Sequence, residues 1–332
     1  MSTLHPGQST MTSIMQNEEL ATACRAVTIA SKLCEAVRSE MTTLQTMTKS
    51  DRSPVTVADY GSQAVICEML SKNFPEDPVV AEEDSDDLRL PEMGDQLAKI
   101  TNHVKLALGE SSVSEEDVAG WIDHGNGTPS SNQRFWTLDP IDGTKGFLRG
   151  DQYAVCLALI ENGHVKIGII GCPALEIDHV VGHLFVAEKG KGAWRKPLNS
   201  NNNDTTLARI QVDPKIDILV QSFEASHGNH TSQQDVAAKA TGIENVVCMD
   251  SQAKYAMVAN GKAALYLRLS DYAESIWDHA AGVVLVEEAG GRVSDRNGKR
   301  LGFTSTKMTG NSGVIVTNGV FHEKVLAVLE DY

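Results

Sequence analysis

The spacing of apolar residues predicts helices at the start of the chain. Between residues 18 and 47, apolar side chains such as Leu20 and Ala23 recur at steps of three and four, which is the repeat of one helix face. A second pattern of this kind follows Asp59 and continues to Leu70. The chain is therefore expected to open with helical structure.

Short apolar runs in the middle of the chain predict strands. The first run, residues 79–81, ends in an acidic pair, Glu82 and Glu83. Further strands are predicted at residues 135–138, 153–160, 165–172 and 183–187, with turns at residues 162–163 and 174–175. The turns between the last three runs indicate antiparallel neighbours.

The second half of the chain alternates between strand and helix patterns. Strands are predicted at residues 218–221, 263–269 and 313–317, and helices at residues 232–241, 253–259, 276–289 and 320–329. This alternation is typical of a mixed α/β unit. Glycines at 190 and 192 and the polar tract 199–204 place a boundary near residue 195. We therefore expect an α+β domain over residues 1–195 and a mixed α/β domain over residues 196–332.

Composition and charge narrow the class of protein. The chain has 332 residues, 41% of them hydrophobic, and a formal net charge of -15. This length and mixture are those of a globular protein with a sizeable core. The negative charge argues against a protein that coats nucleic acid, which needs clustered Lys and Arg. An anionic substrate is still compatible with it, because metal ions or a local basic pocket can invert the field.

Cysteine usage and the first residues favour a cytoplasmic protein. None of the six cysteines has CxxC spacing, which argues against a zinc knuckle, and several, such as Cys156, lie in apolar runs that predict buried free thiols. The first sixteen residues contain no Lys or Arg, unlike a secretory signal or a transit peptide, and no apolar run reaches the length of a membrane span.

Residues 139–144, Asp-Pro-Ile-Asp-Gly-Thr, are the most informative segment. Asp139 and Asp142 follow an apolar strand, and two carboxylates there are costly to bury together unless a cation neutralises them. Gly143 lets the backbone approach a ligand closely, and a helix starting near Thr144 would present N–H groups to a phosphate. An Asx-Pro turn at a helix start is the alternative, which this segment alone leaves open.

Carboxylates elsewhere in the chain extend the pattern. Glu82 follows an apolar strand, Asp59 precedes a helix, and Asp278 lies at the start of a long apolar helix. Each has an ordinary structural explanation, Glu82 as part of a solvated loop and the two aspartates as helix N-caps. Together with Asp139 and Asp142 they supply an all-oxygen ligand set, which suits Mg²⁺ rather than zinc.

Several strings carry a resemblance to a known family. The pair 82–83, residues 139–144, and Trp277-Asp278 followed by Ala-Gly-Gly at 289–291 resemble the signature motifs of the inositol monophosphatase superfamily, whose members are lithium-sensitive, metal-dependent phosphomonoesterases. The resemblance is closer to the 3'(2'),5'-bisphosphate nucleotidases, and the strings specific to that branch are residues 53–63, 144–149 and 250–255. Simple inositol monophosphatases usually have Thr-Asn-Phe where this chain has Lys-Gly-Phe. The resemblance covers about residues 20–330.

This resemblance implies a fold, a reaction and a set of metal ligands. The fold would be the layered α/β/α/β/α sandwich of that superfamily, with the site at the junction of its two domains. The metal ligands would be Glu82, Asp139 and the carbonyl of Ile141 for one Mg²⁺, and Asp139, Asp142 and Asp278 for a second. Asp59 and Thr144 would orient and deprotonate the attacking water, beside a weakly held third ion. The reaction would be in-line hydrolysis of adenosine 3'(2'),5'-bisphosphate to AMP and phosphate.

The resemblance also implies how the nucleotide is held. Its 5'-phosphate needs cations that the catalytic carboxylates cannot supply. The substrate-binding residues would be Thr144, His227, Ser251, Lys254, Arg268 and Asp278. Ser251 and Lys254 are three apart, which places them on one face of a helical turn. Without the resemblance, Lys254 and Arg268 would be interpreted as surface charges and His227 as a loop histidine.

The expected partner is thus a small nucleotide bisphosphate, with Li⁺ or Na⁺ as inhibitory ions and neither a nucleic-acid polymer nor a membrane. We expect a monomer. The sulfated form of the nucleotide and inositol 1,4-bisphosphate are further candidate substrates. The alternative functions are an inositol or sugar phosphatase of the same superfamily, and a non-catalytic metal-binding protein. The last would predict a lost ligand, whereas every carboxylate of the implied set is present.

Overall fold

The computed structural model describes residues 17–43, 53–129, 133–199, 207–223, 230–270 and 272–330. The first part of the chain forms four helices and one short strand: α1 (Glu18–Thr43), α2 (Ser53–Asn73), β1 (Val79–Ala81), α3 (Gly94–Leu108) and α4 (Glu115–Asp123). Helix α1 buries the apolar stripe that its spacing predicts, including Leu20, Ala23 and Val27. The prediction that this helix continues to residue 47 extends beyond the described residues.

A seven-stranded sheet follows in chain order. Besides β1, its strands are β2 (Arg134–Asp142), β3 (Ala154–Glu161), β4 (His164–Ile177), β5 (Val180–Glu188), β6 (Gly192–Pro197) and β7 (Ala208–Ile210). The short helix α5 (Thr144–Arg149) connects β2 to β3. Strands β1 and β2 are parallel, and all later neighbours are antiparallel. The predicted succession of antiparallel strands is confirmed.

A second sheet contains five strands in the order β11-β12-β10-β8-β9. Its elements are β8 (Ile218–Gln221), α6 (His230–Thr241), β9 (Asn245–Cys248), α7 (Ala253–Ala259), β10 (Leu265–Arg268), α8 (Ala280–Glu288), β11 (Arg292–Ser294), β12 (Val314–Thr317) and α9 (His322–Leu329). Strand β8 is parallel to β9 and β10, and β12 is antiparallel to its two neighbours. The sheet is mixed, as the alternating pattern predicts.

The two sheets and three groups of helices form five layers. Helices α1 and α2 pack on the outer face of the first sheet, α7 and α8 lie between the sheets, and α6 and α9 cover the far face of the second. The apolar helix α8 is buried on all sides because it contacts a sheet on each face. The expected layered α/β/α/β/α sandwich is confirmed. The first sheet continues to Ile210, and a domain boundary near residue 195 stays a prediction.

The structure corrects several local predictions. Strand β4 runs through residues 174–175, where a turn was expected, because an irregularity between Cys172 and Glu176 absorbs those residues without reversing the chain. Asp59 is not an N-cap, since α2 begins at Ser53 and places Asp59 in its second turn. All six cysteines are free and five are buried, as predicted. No helix within the described ranges is long and apolar enough to span a membrane.

Candidate metal and substrate site

Carboxylates from four separate segments meet at one end of the first sheet. Parallel strands β1 and β2 pair Ala81 with Leu138, so the residues that follow, Glu82 and Asp139, leave the same edge of the sheet. Helix α2 packs beside β2 and brings the buried side chain of Asp59 to this edge. Asp278 ends a short 3₁₀ turn ahead of α8, and its carboxylate accepts the backbone N–H of Ser275 at 3.1 Å. Asp278 thus forms a capping box with Ser275, the N-cap residue of that turn, and its charge acts on the other acids.

An irregularity in β2 presents both aspartates of the acidic segment. The pairing of β2 with β3 shifts between Asp139 and Asp142, so the strand continues through the segment instead of ending in an Asx-Pro turn. Gly143 then adopts a φ of 88° and begins helix α5. Its Cβ, if present, would lie 3.1 Å from the Cβ of Ser251, so this position requires a small residue with left-handed backbone freedom.

The acids raise one another's pKa values. Burial, followed by the charges of its neighbours, of which Glu82 is the largest, raises the pKa of Asp139 well above its usual range. Glu82 reaches solvent at the rim, yet partial burial and the adjacent Glu83 raise its pKa to about 7. Burial raises the pKa of Asp142 to about 6 although Lys254 opposes the shift. Burial, followed by the charges of Glu83 and Glu82, also raises the pKa of Asp59 well above its usual range. Such a cluster is unfavourable unless positive charge enters it.

The side chains present fit a hard divalent cation. The Oδ1 atom of Asp139 is buried and has no hydrogen-bond partner among the described residues, and such an atom normally has a ligand. The donors are all oxygens, as Mg²⁺ requires. In the described part of the chain, no group of three or more His, Cys, Asp or Glu side chains could hold a metal as the side chains stand. The carboxylates would therefore have to turn inward around a bound ion.

These pKa shifts predict how stability depends on pH without metal. A carboxyl whose pKa is raised on folding stabilises the protein fully below its unfolded pKa, and this contribution is lost as pH rises through the folded pKa. For Asp142 and Glu82, with pKa values raised to about 6 and about 7, the loss falls between pH 4 and 7. We expect the thermal midpoint in EDTA to fall from pH 5 to pH 8, less steeply in Asp142→Asn and with added Mg²⁺. If the thermal midpoint of Asp142→Asn fell as steeply with pH as that of the wild type, titration of Asp142 would not be a cause of the pH dependence.

The cations implied for substrate binding face the acids from the second half of the chain. Lys254, in α7, is 3% exposed, so its interpretation as a surface charge is wrong. Burial lowers its pKa to about 8 against the charge of Asp142, and its ammonium donates to the carbonyl of Met249 at 3.3 Å. Arg268 is also largely buried, at the end of β10, with its guanidinium against Glu274. His227 lies outside the described residues.

Ser251 joins the two halves of the site. Its φ is 67°, an unusual value for a residue with a side chain, and its hydroxyl accepts the backbone N–H of Ala253 at 3.2 Å. This backbone turn aims the N–H of the next residue, Gln252, at the carboxylate of Asp142. The strain thus supports a contact between the metal-binding segment and the start of α7.

Glycine at 146 explains part of the Lys-Gly-Phe string. A Cβ on Gly146 would lie 2.0 Å from the carbonyl oxygen of Gln152 and 2.8 Å from a carboxylate oxygen of Asp250. Asp250 is buried and pairs with Arg149 at the end of α5. The string therefore allows α5 to pack closely against the loop that leads into Ser251.

Sequence reasoning missed a buried network behind Arg268. Glu274 accepts the hydroxyl of Ser270 at 2.9 Å and contacts the His279 ring at 2.5 Å, and that ring lies 2.7 Å from the hydroxyl of Tyr255. Burial alone would raise the pKa of Glu274, but His279, Arg268 and these hydrogen bonds lower it to about 2. The string 250–255 includes Tyr255, whereas no pattern marked the glutamate.

One cavity of about 310 Å³ contains both sets of side chains. Its lining includes Glu82, Asp142 and Asp278, here called the acidic wall, and Lys145, Lys254 and Arg268, here called the basic wall. Tyr255 and Tyr266 contribute the apolar surface. Thr144 also lines the cavity, and its hydroxyl donates to the carbonyl of Ile141 at 3.4 Å. The cavity can take a molecule with one phosphate at the acids and another at the cations.

Comparisons with known proteins agree on a family. The family model described as "Inositol monophosphatase family" matches residues 15–332. The curated "3'(2'),5'-bisphosphate nucleotidase 2" of Candida albicans is 40% identical over 346 aligned positions, covering 94% of this chain and 97% of that protein. The "3'(2'),5'-bisphosphate nucleotidase 1" of Arabidopsis thaliana is 41% identical, covering 82% and 84%.

Solved structures show the same fold at lower identity. An inositol monophosphatase from Anabaena superposes with a TM-score of 0.61 at 21% identity and covers 95% of this chain and 96% of its own. CysQ from Bacteroides thetaiotaomicron, described as a bacterial member of the inositol monophosphatase family, gives 0.60 at 21% identity, covering 92% and 99%.

Proposed function

This chain belongs to the inositol monophosphatase family, and from that premise we propose that it hydrolyses the 3'(2')-phosphate of adenosine 3'(2'),5'-bisphosphate to AMP and phosphate. The curated relatives at about 40% identity over most of the chain carry the name of that activity. The observation that carries the proposal is the single cavity with an acidic and a basic wall. A bisphosphate nucleotide offers one phosphate to each wall.

The acidic wall would hold the metal. Members of this family are metal-dependent, typically on Mg²⁺. We assign Glu82, Asp139 and the Ile141 carbonyl to one ion, and Asp139, Asp142 and Asp278 to a second. The orphaned Oδ1 of Asp139 supports its place in both sets. Bound Mg²⁺ supplies electrostatic stabilisation of charge on the attacking and leaving oxygens.

Asp59 and Thr144 would handle the attacking water. Asp59 is buried close to Glu82 and Glu83, and as a carboxylate it would accept the proton that the attacking water loses. Thr144 is the last residue of the acidic segment, and its hydroxyl would orient the water. The reaction is direct displacement at phosphorus, so no nucleophilic Ser or Cys is required.

The basic wall would hold the 5'-phosphate. Lys254 is buried there, Arg268 is largely buried, and Ser251 adds a hydroxyl. We assign His227 to the same group on the resemblance alone. The buried ammonium and guanidinium lose little water when the phosphate arrives, so the phosphate contact is strong. The sulfated form of the nucleotide presents the same two ends.

The second candidate function is hydrolysis of an inositol phosphate, which the family fold favours. A phosphate-release panel with Mg²⁺ separates the two. We expect kcat/KM for adenosine 3',5'-bisphosphate to exceed that for inositol 1-phosphate by about 100-fold or more, because a monophosphate lacks the second phosphate that would contact Lys254 and Arg268, and each hydrogen bond to a charged group contributes about 1.5–3 kcal/mol. Equal rates, or a faster inositol phosphate, would favour the second candidate.

The remaining assignments belong to the same proposal. Inhibition by Li⁺, or by Na⁺, would follow if a small cation took one of the Mg²⁺ positions. A monomeric state, a cytoplasmic location and two to three ions per site stay predictions.

A further inference from the structure

The helix that carries Asp59 also holds the backbone of two other acidic segments. Ser62 and Gln63 follow Asp59 by three and four positions, so all three lie on one face of α2. Both side chains are fully buried. They are the last two residues of the string 53–63, and neither has a role in the chemistry described above.

The side-chain amide of Gln63 forms hydrogen bonds with the backbone of Glu83 like those that a neighbouring strand would form. Its amide nitrogen donates to the carbonyl of Glu83 at 2.5 Å, and its amide oxygen accepts the backbone N–H of Glu83 at 3.1 Å. Strand β1 ends at Ala81, so this paired contact continues the ladder for the residue after Glu82. The amide nitrogen also donates to the carbonyl of Ile122 at 2.9 Å, which ties it to the end of α4.

The amide of Gln63 has no room to turn. A Cβ added at Gly125 would lie 2.6 Å from its nitrogen and 2.8 Å from the Cβ of Ala81. Three hydrogen bonds and this close packing therefore define one position for the amide, and through it one position for the Glu83 backbone.

Ser62 holds the other acidic segment. Its hydroxyl donates to the carbonyl of Pro140 at 3.0 Å, and this pair is buried. Pro140 lies where the pairing of β2 with β3 shifts, so its carbonyl has lost regular strand pairing. The bond fixes the backbone between Asp139 and Ile141, which supply a carboxylate and a carbonyl to the assigned ligand set.

We propose that Ser62 and Gln63 are positioning residues for Mg²⁺: they fix the segments of Glu82 and of Asp139 at a set distance from Asp59. The inference rests on the proposed function, because it takes these acids as the metal ligands. Like-charged segments repel one another, and bonds from a single buried helix face keep them together before an ion binds. Residues that orient ligands in this way typically contribute about 10–100-fold to metal affinity.

The test compares Gln63→Leu and Ser62→Ala with matched controls in the full chain. Gln233→Leu removes another buried amide, in α6, and Ser31→Ala removes a buried helical hydroxyl that has no partner among the described residues. Mg²⁺ affinity is measured by titration calorimetry without substrate. We expect Gln63→Leu to weaken it about 10–100-fold, Ser62→Ala to weaken it by a smaller factor, and the controls to leave it unchanged.

A second readout separates positioning from general damage. Raising Mg²⁺ should restore hydrolysis by the two variants, with the KM for the nucleotide bisphosphate unchanged at saturating Mg²⁺. Wild-type Mg²⁺ affinity in the variants, or an equal loss in the controls, would overturn the inference. If Gln63→Leu does not fold, Ser62→Ala decides alone by the same criterion. If the wild type and the variants show the expected order of Mg²⁺ affinities but the wild type leaves the nucleotide intact, the proposed function is refuted and the positioning role still stands.

Discussion

Replacing Asp142 by Asn should lower phosphate release about 1,000-fold, the equivalent of about 4 kcal/mol in the barrier, since metal stabilisation of the transition state is worth several kcal/mol. Asn keeps the shape of the side chain and its contact with the N–H of Gln252, and removes the charge. The assigned second ion then loses one of its three carboxylates. The measurement is kcat with adenosine 3',5'-bisphosphate at saturating Mg²⁺.

Stability separates this loss from misfolding. Because burial disfavours the charged form of Asp142 by more than Lys254 favours it, its neutral variant should melt no lower than the wild type in EDTA at pH 8. The control is Asp178→Asn, at an exposed turn position paired with Arg195 and Lys262, and it should keep wild-type activity. Undiminished hydrolysis by Asp142→Asn, in a well-folded sample, would contradict the metal assignment.

Replacing Arg268 by Gln should weaken binding of the nucleotide bisphosphate and spare the chemistry. Loss of a hydrogen bond to a charged group costs about 1.5–3 kcal/mol, so we expect KM to rise about 10–150-fold with kcat nearly unchanged. The guanidinium lines the same cavity as the acids and is oriented by Glu274.

A truncated substrate makes this prediction specific. Adenosine 3'-monophosphate lacks the 5'-phosphate, so Arg268→Gln should leave its kcat/KM unchanged. Arg292→Gln, which removes an exposed arginine paired with Glu323, is the matched control and should affect neither substrate. An equal loss on both substrates would mean that Arg268 serves the reacting phosphate or the fold instead.

The acidic half of the site could be predicted from the sequence because its signals are local. Asp139 and Asp142 follow an apolar strand, and Glu82 follows another, so parallel pairing of the two strands is enough to bring them together. The N-cap explanation of Asp59 failed because the string 53–58, Ser-Pro-Val-Thr-Val-Ala, carries no helix repeat, although α2 begins there.

The basic half could not be predicted from spacing, because burial of a charge is a tertiary property. Lys254 and Arg268 lie on different elements and become buried when α7 and β10 pack against the acids and against Glu274. Likewise, strands β9 and β11 were not predicted, because they have only four and three residues and include exposed positions. Their pairing with β8 and β12 comes from the sheet as a whole.

In the proposed reaction, a Mg²⁺-dependent acidic site and a phosphate-binding basic wall act on one nucleotide. The most direct measurement incubates the purified chain with adenosine 3',5'-bisphosphate, with Mg²⁺ or with EDTA, and quantifies phosphate and nucleotide products by chromatography. The account predicts equal amounts of phosphate and adenosine 5'-monophosphate with Mg²⁺, and neither with EDTA. Release of the 5'-phosphate instead, turnover in EDTA, or an intact substrate with Mg²⁺ would contradict it.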